Sequence, residues 1–213
     1  MTEHRSPWRD DELEMFRDAA RRFVENEIVP NDPRWREQHH VDRDLWNKAG
    51  EVGLLCTDIP DQYGGVGGDA RHEAVVVEEM GRRGITSFGH MVHSILAHYV
   101  LNYGSEAQKL DWLPRMASGE LVGAIAMTEP GAGSDLQAVK CRAVREGDHY
   151  VINGAKTFIS NGLHAGLVGV VLAADQTQAT AEQRVAVALV DGGDRRLIDG
   201  TRGAHPQAAL PDP

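Results

Sequence analysis

The sequence predicts an α+β fold in which an all-helical bundle precedes an antiparallel β-barrel or sandwich. Up to residue 121, apolar residues recur every three or four positions, as on one face of a helix. From Val122 onward, β-branched residues become frequent and turn signals recur about every ten residues. We therefore place a helical domain at residues 1–121, a β domain at 122–192, and an irregular tail at 193–213.

Five helices are predicted in the helical domain. Asp11 and Glu14 have the spacing of a capping box that begins the first helix, and Pro30 ends it. The polar stretch 31–41 is predicted as a loop. The remaining helices are expected at 44–53, 71–83, 86–103 and 105–119, and a capping box of Ser105 with Gln108 begins the last of them. The helix at 86–103 is apolar all round, so it should be the buried one.

Short β-rich segments make up the second domain. The pairs Asn153-Gly154 and Asn161-Gly162 are strong hairpin signals between them. Candidate strands lie at 140–145, 149–152, 156–160, 167–174 and 184–190.

Bulk composition narrows the class of protein. The net charge is −10 and no basic patch is visible, so a nucleic-acid partner is not expected. The start of the sequence lacks the apolar core of a secretory signal. The longest apolar run, 167–174, is too short to cross a bilayer. Cys56 and Cys141 are far apart in the sequence, which favours free thiols in a reducing cytoplasm.

Histidines cluster around the fourth predicted helix. His90 and His93 would share one face of that helix, and His98 follows. No acidic residue lies at metal-ligand spacing beside them, so we predict polar positions on a packed helix and no metal site.

One loop, Ala126–Asp135, joins the helical part to the β part. Its Pro130 fixes φ, and its two glycines allow backbone conformations that other residues rarely adopt. Thr128 and Ser134 supply hydroxyl groups. Such a loop can bring bare N–H groups close to a planar or anionic ligand. A tight turn at a domain boundary is the alternative.

Together with Gly154–Gly162, this loop resembles the acyl-CoA dehydrogenase family of flavoenzymes. The segments Ala126–Asp135, Tyr150–Gly154 and Phe158–Gly162 match the family in the right order, and the resemblance runs from about Asp11 to about Asp191. It is nearest to the long-chain branch, through the segments Gly123–Met127 and Phe88–Ser94.

The resemblance implies an FAD site. Thr128 would bind the pyrimidine end of the flavin, Ser160 would lie near N5, and Ser134 would also touch the CoA of the substrate. For Ser160 the alternative is a hydroxyl that caps the following turn, and for Phe158 it is core packing. The implied cofactor-binding residues are Ile125, Ala126, Met127, Thr128, Gly133, Ser134, Phe158, Ile159 and Ser160.

The resemblance also implies a reaction. It is the α,β-dehydrogenation of a fatty acyl-CoA to trans-2-enoyl-CoA in β-oxidation, with electron-transfer flavoprotein as the usual acceptor and a homo-oligomeric full-length enzyme. The family's base is a Glu in a C-terminal helical domain, so no catalytic residue is assigned here. We expect that the reading frame was lost or cut near Gly192, which would remove that domain. The alternatives are a non-catalytic remnant with weak or no flavin binding, and a flavin acyl-CoA oxidase or nitroalkane oxidase.

Overall fold

A computed structural model describes residues 8–147, 149–173 and 185–191 of the chain. The chain divides into two compact units between Leu121 and Val122. Cys56 and Cys141 are buried and form no disulfide, which confirms the prediction of free thiols. None of the helices in the described ranges is long and apolar enough to cross a membrane. The whole predicted tail, 193–213, and the proposed break near Gly192 lie outside these ranges.

The first unit is helical, as predicted, but the described residues form six α-helices instead of five. The additional helix lies in the segment 31–41 that was predicted as a loop. It is only two turns long, and one large apolar side chain, Trp35, anchors it at 2% exposure. Periodicity cannot reveal a helix with one buried apolar residue. The helices are α1 Asp11–Phe23, α2 Asp32–Gln38, α3 Asp44–Glu51, α4 Ala70–Arg82, α5 His90–Tyr103 and α6 Glu106–Ala117.

Side-chain caps define several helix starts. The cap of α1 is Asp10 and not Asp11, since the Asp10 carboxylate accepts a hydrogen bond of 3.0 Å from the Leu13 N–H. The predicted capping box of Ser105 with Gln108 is confirmed at the start of α6. Such caps satisfy backbone donors that have no partner within the helix.

The core of the helical unit centres on Trp46 of α3, which is fully buried. Its ring lies 4.7 Å from that of Phe88 and 5.2 Å from that of His93, measured between centroids. Helix α5 buries one face in this core, as expected, but Met91 and Ile95 on its other side are about half exposed. The helix is therefore buried on one face and not all round.

Five strands form the second unit in the described ranges. Three of them make one sheet in the order β1-β4-β5, and the other two pair as a separate hairpin. The strands are β1 Val122–Ala126, β2 Arg142–Glu146, β3 His149–Asn153, β4 Ala165–Ala173 and β5 Val185–Asp191.

The predicted all-antiparallel arrangement is wrong for one strand pair. β1 runs parallel to β4, with Ala126 opposite Val170, whereas β4 and β5 are antiparallel. A parallel pair needs a long crossover, and residues 127–164 supply it here, with the β2–β3 hairpin inside them. The sheet is not closed within the described residues, so the barrel stays a prediction.

The predicted strand at 156–160 does not form. Phe158 and Asn161 have left-handed φ angles of 57° and 65°, which are incompatible with a pleated strand. The segment is instead an irregular stretch followed by a turn. This irregular stretch runs beside the residues that follow β1. The predicted site residues lie on these two segments.

Candidate functional site

The predicted site residues lie on two neighbouring segments of the second unit. Ile125 and Ala126 end β1, and the half-buried Met127 and Thr128 follow it. The second segment runs alongside, because the Thr157 N–H donates a hydrogen bond of 2.9 Å to the Thr128 carbonyl oxygen. The structure thus brings Thr128 next to the segment that carries Phe158, Ile159 and Ser160, although the two are far apart in sequence.

A tight turn follows Thr128. The Glu129 N–H donates to the Ala132 carbonyl at 2.9 Å, and the Ala132 N–H returns a bond of 3.2 Å to the Glu129 carbonyl. The loop therefore contains a tight turn, but this turn lies within the second unit and not at the boundary between the units, and it leaves Gly133 and Ser134 exposed beyond it. No hydrogen bond in the described part of the chain links Ser134 to the 158–160 segment.

The Glu129 carboxylate is buried and stabilises the loop through hydrogen bonds. It accepts bonds of 2.8 Å from the backbone N–H groups of Lys140 and Cys141, and one of 2.9 Å from Lys156 Nζ. Burial of this carboxyl favours its neutral form, but the bonds from Lys140 and Lys156 outweigh burial and lower the pKa of Glu129. Glu129 is therefore a buried, ionised and fully hydrogen-bonded group.

Phe158 is the most unusual of the predicted residues, because its side chain is 94% exposed. Core packing, the alternative considered for it, is therefore wrong. A phenyl ring standing free of its own chain, on a residue with φ of 57°, indicates a surface that contacts something else. Ile159 is half-buried behind it.

Ser160 is exposed beside Phe158, and no hydrogen bond of its hydroxyl is found in the described residues. The turn that follows is held by Asn161, whose carbonyl accepts bonds of 2.9 Å from the N–H groups of His164 and Ala165. The Asn161 side chain also donates to the Gly123 carbonyl at 3.0 Å. The structure therefore gives no support to a capping role for Ser160.

Two features of this face lack an explanation within the described chain. The Thr157 hydroxyl oxygen is buried and has no hydrogen-bond partner among the described residues. A Cβ added to Gly131 or Gly133 would meet nothing within 4 Å, and neither residue has a left-handed φ. Buried hydroxyl groups normally form hydrogen bonds. Glycine normally occurs where a side chain would clash or where the backbone adopts a conformation that other residues disfavour. A ligand bound against the loop would occupy the open space beside the two glycines.

Comparison with known proteins identifies the family. Residues 10–120 match the model of the acyl-CoA dehydrogenase N-terminal domain, and residues 124–206 match that of the middle domain. The chain belongs to the acyl-CoA dehydrogenase family. The middle-domain match extends past residue 192, where the sequence analysis ends the β domain.

Curated relatives include long-chain specific acyl-CoA dehydrogenases, the branch that the sequence resembles. The mitochondrial enzymes of Sus scrofa and Rattus norvegicus are 39% and 40% identical over 192 residues, which is 90% of this chain and 45% of each relative. The chain therefore spans about half the length of these curated relatives.

Solved structures of similar proteins include flavoproteins. An acyl-CoA dehydrogenase from Geobacillus kaustophilus is 39% identical with a TM-score of 0.82, covering 89% of this chain and 50% of the other. One from Bacillus anthracis, complexed with FAD, is 33% identical with a TM-score of 0.75, covering 89% and 33%. A chain from a structure of the electron transferring flavoprotein of Acidaminococcus fermentans is 31% identical with a TM-score of 0.80, covering 89% and 50%.

The histidines of α5 have acidic partners that sequence spacing did not show. His90 Nε2 lies 3.0 Å from Glu73 Oε1 of α4, and His98 Nε2 lies 3.1 Å from Asp58 Oδ2. His90 and His93 are buried, which confirms their interpretation as polar positions on a packed helix. Within the described ranges, no three His, Cys, Asp or Glu side chains are grouped to hold a metal ion.

Four buried or half-buried residues support the site, and sequence reasoning singled out none of them for it except Glu129, to which the resemblance gives a structural role; the other three are Lys156, Thr157 and Asn161. All four lie within the two segments that carry the resemblance. Their burial and partners depend on contacts between the segments, which neither segment shows alone. The one available signal was a charged residue in each otherwise apolar or small-residue stretch.

Proposed function

We propose that this chain carries the flavin-binding part of an FAD-dependent acyl-CoA dehydrogenase. The observation that carries the proposal is the exposed face on which Thr128 lies beside the segment of Phe158. Both segments have the family's sequence; the segment after β1 carries two glycines with open space beside them, and the neighbouring segment carries an exposed aromatic ring.

The residues of this face fit a flavin. When bound, FAD supplies the acceptor for the hydride that leaves the β-carbon of the substrate. Thr128 and Ser160 offer hydroxyls to its polar edges, and Phe158 and Ile159 offer apolar contact to the ring system. Ser134, exposed beyond the turn, would contact both the cofactor and the CoA of the substrate.

The proposed reaction is the conversion of a fatty acyl-CoA thioester to trans-2-enoyl-CoA, with electron-transfer flavoprotein as acceptor and a homo-oligomeric enzyme in the cytoplasm. We assign the base to no described residue of this chain. The Glu129 carboxylate, which lies in the loop of the proposed site, is engaged by Lys140, Cys141 and Lys156, so it is not placed to remove a proton. The β-barrel or sandwich predicted from the sequence is part of the same proposal.

Removal of the Phe158 ring tests the proposal. Purified chain should quench the fluorescence of added FAD in a saturable way, and Phe158→Ala should raise the dissociation constant about tenfold, equivalent to about 1.4 kcal/mol. Phe158 contacts little of its own chain, so the variant should unfold at the same temperature as the parent.

Leu163→Ala is the matched control, since Leu163 is also exposed, at 67%, and lies close in sequence but outside the predicted site. Its affinity for FAD should stay within about twofold of the parent. Absence of saturable quenching by the parent chain, or equal affinities of Phe158→Ala and the parent, would count against the proposal.

A further inference from the structure

The second unit contains a buried ion pair that the proposed chemistry does not use. Lys156 Nζ lies 2.9 Å from Glu129 Oε1, and the two side chains are only 10% and 6% exposed. Taking two charges out of water is costly, and the cost is recovered only where every polar atom of the pair finds a partner.

Here the partners are complete on the carboxylate side. Glu129 Oε1 accepts from Lys156 and from the Cys141 N–H, and Oε2 accepts from the Lys140 N–H. The ammonium of Lys156 makes a second bond, of 2.9 Å, to the Met127 carbonyl oxygen. Removing either charge would leave the other buried without its counter-charge.

The pair connects three stretches of chain that are separate in sequence. Met127 and Glu129 belong to the first wall of the proposed flavin site, and Lys156 directly precedes the second wall. Lys140 and Cys141 lie just before β2. Besides this pair, the Thr157 N–H donates to the Thr128 carbonyl, and the Asn161 side chain of the second wall donates to the Gly123 carbonyl of β1, two residues before the first wall. Two walls that must hold one planar ligand need a fixed spacing, and the ion pair adds to these two bonds the charged contact between Glu129 and Lys156.

We infer that Glu129 and Lys156 are positioning residues, forming a clasp that fixes the two walls of the proposed flavin site relative to each other. The inference rests on the proposed function for the identity of the ligand. The first wall is residues 125–134, which contain Glu129, and the second is residues 157–162, which follow Lys156. Loss of either charged partner should loosen both walls at once.

Hydrogen exchange in the FAD-free chain tests the clasp, using Glu129→Gln, Lys156→Met and the double variant. Each single variant should speed amide exchange about fivefold or more in peptides from both walls, because local opening raises exchange. The double variant should add little to either single variant, since both disrupt one interaction. The β2–β3 hairpin should exchange as in the parent chain.

Glu79→Gln is the matched control. Glu79 is also buried, at 3% exposure, and its carboxylate accepts from Arg21 Nε at 2.9 Å, but it lies in the helical unit. It should leave exchange in both walls unchanged. Faster exchange in only the wall that carries the substitution would overturn the clasp. Equal acceleration in the β2–β3 hairpin would overturn it too, because the pair would then stabilise the whole unit and position nothing in particular.

An FAD titration of the same variants provides the second readout. Glu129→Gln and Lys156→Met should each raise the dissociation constant about tenfold or more, with Glu79→Gln within about twofold of the parent. Unchanged affinity in variants whose walls have loosened would overturn the positioning role. If the parent chain itself does not bind FAD, the proposed function fails, and the exchange measurement still decides whether the clasp exists.

Discussion

Gly133→Val is expected to abolish FAD binding while leaving the stability of the chain almost unchanged. A Cβ at this position meets no atom within 4 Å, and the residue has no left-handed φ, so the first carbon of a side chain meets no obstacle from the chain itself. We expect the free energy of unfolding to stay within about 0.5 kcal/mol of the parent value. The dissociation constant for FAD should rise about 100-fold or more, because three added carbon atoms would occupy the space proposed for the cofactor.

Variants of two other glycines serve as controls, because they distinguish a specific loss of FAD binding from a general consequence of adding a side chain at a glycine. Gly81 in α4 also has open space beyond it, so Gly81→Val should change neither stability nor affinity by much. Gly154→Ala should lower stability severely, because its Cβ would lie 2.6 Å from the Cys141 Cβ and Sγ, at a φ of 156°. Affinity and stability are measured by FAD titration and by urea unfolding. Should Gly133→Val bind FAD as the parent does, this face is not the flavin site.

Much of the architecture was predictable because it depends on local chemistry. The box of Ser105 and Gln108 begins α6 where its spacing places it, and the positions of β2 to β5 follow from β-branched runs between turn residues. The two segments of the candidate site were likewise visible, since each carries its own pattern of glycine, hydroxyl and aromatic residues.

The remaining features depend on contacts between distant residues. α2 forms because Trp35 packs into the core. The sequence of this segment has no apolar periodicity from which the helix could be predicted. The parallel pairing of β1 with β4 follows from the path of the chain between them. The ion pair of Glu129 with Lys156 exists only once the two walls lie side by side, so the sequence shows two charged residues and not their relationship.

The buried His93 should make the helical unit sensitive to mild acid. Its Nε2 lies 3.1 Å from the Met116 carbonyl oxygen, which can only accept, so Nε2 carries the proton of the neutral ring. Cys56 Sγ lies 3.7 Å from the same nitrogen. Burial lowers the pKa of His93 from 6.5 to about 4 and outweighs the hydrogen bond to the Met116 carbonyl, which acts in the opposite direction.

The sign of the effect follows from proton binding. Below about pH 6.5 the unfolded chain protonates this histidine, while the folded chain does so only below about pH 4. Stability is therefore fully present above pH 6.5 and is lost as the pH falls from there to about 4, by about 3 kcal/mol in total. About 2 kcal/mol of this should already be lost at pH 5, above the range in which ordinary carboxyl groups titrate.

His93→Gln isolates the contribution of this residue, because glutamine can still donate to the Met116 carbonyl but cannot titrate. The free energy of unfolding, measured with urea at pH 7 and pH 5, should fall by about 2 kcal/mol less in the variant than in the parent. His39→Asn, which changes an exposed histidine at a left-handed position that asparagine tolerates, should keep the parental difference. Equal losses in His93→Gln and the parent would show that His93 is not the source of the acid sensitivity, because the only titrating group removed by the substitution is its imidazole.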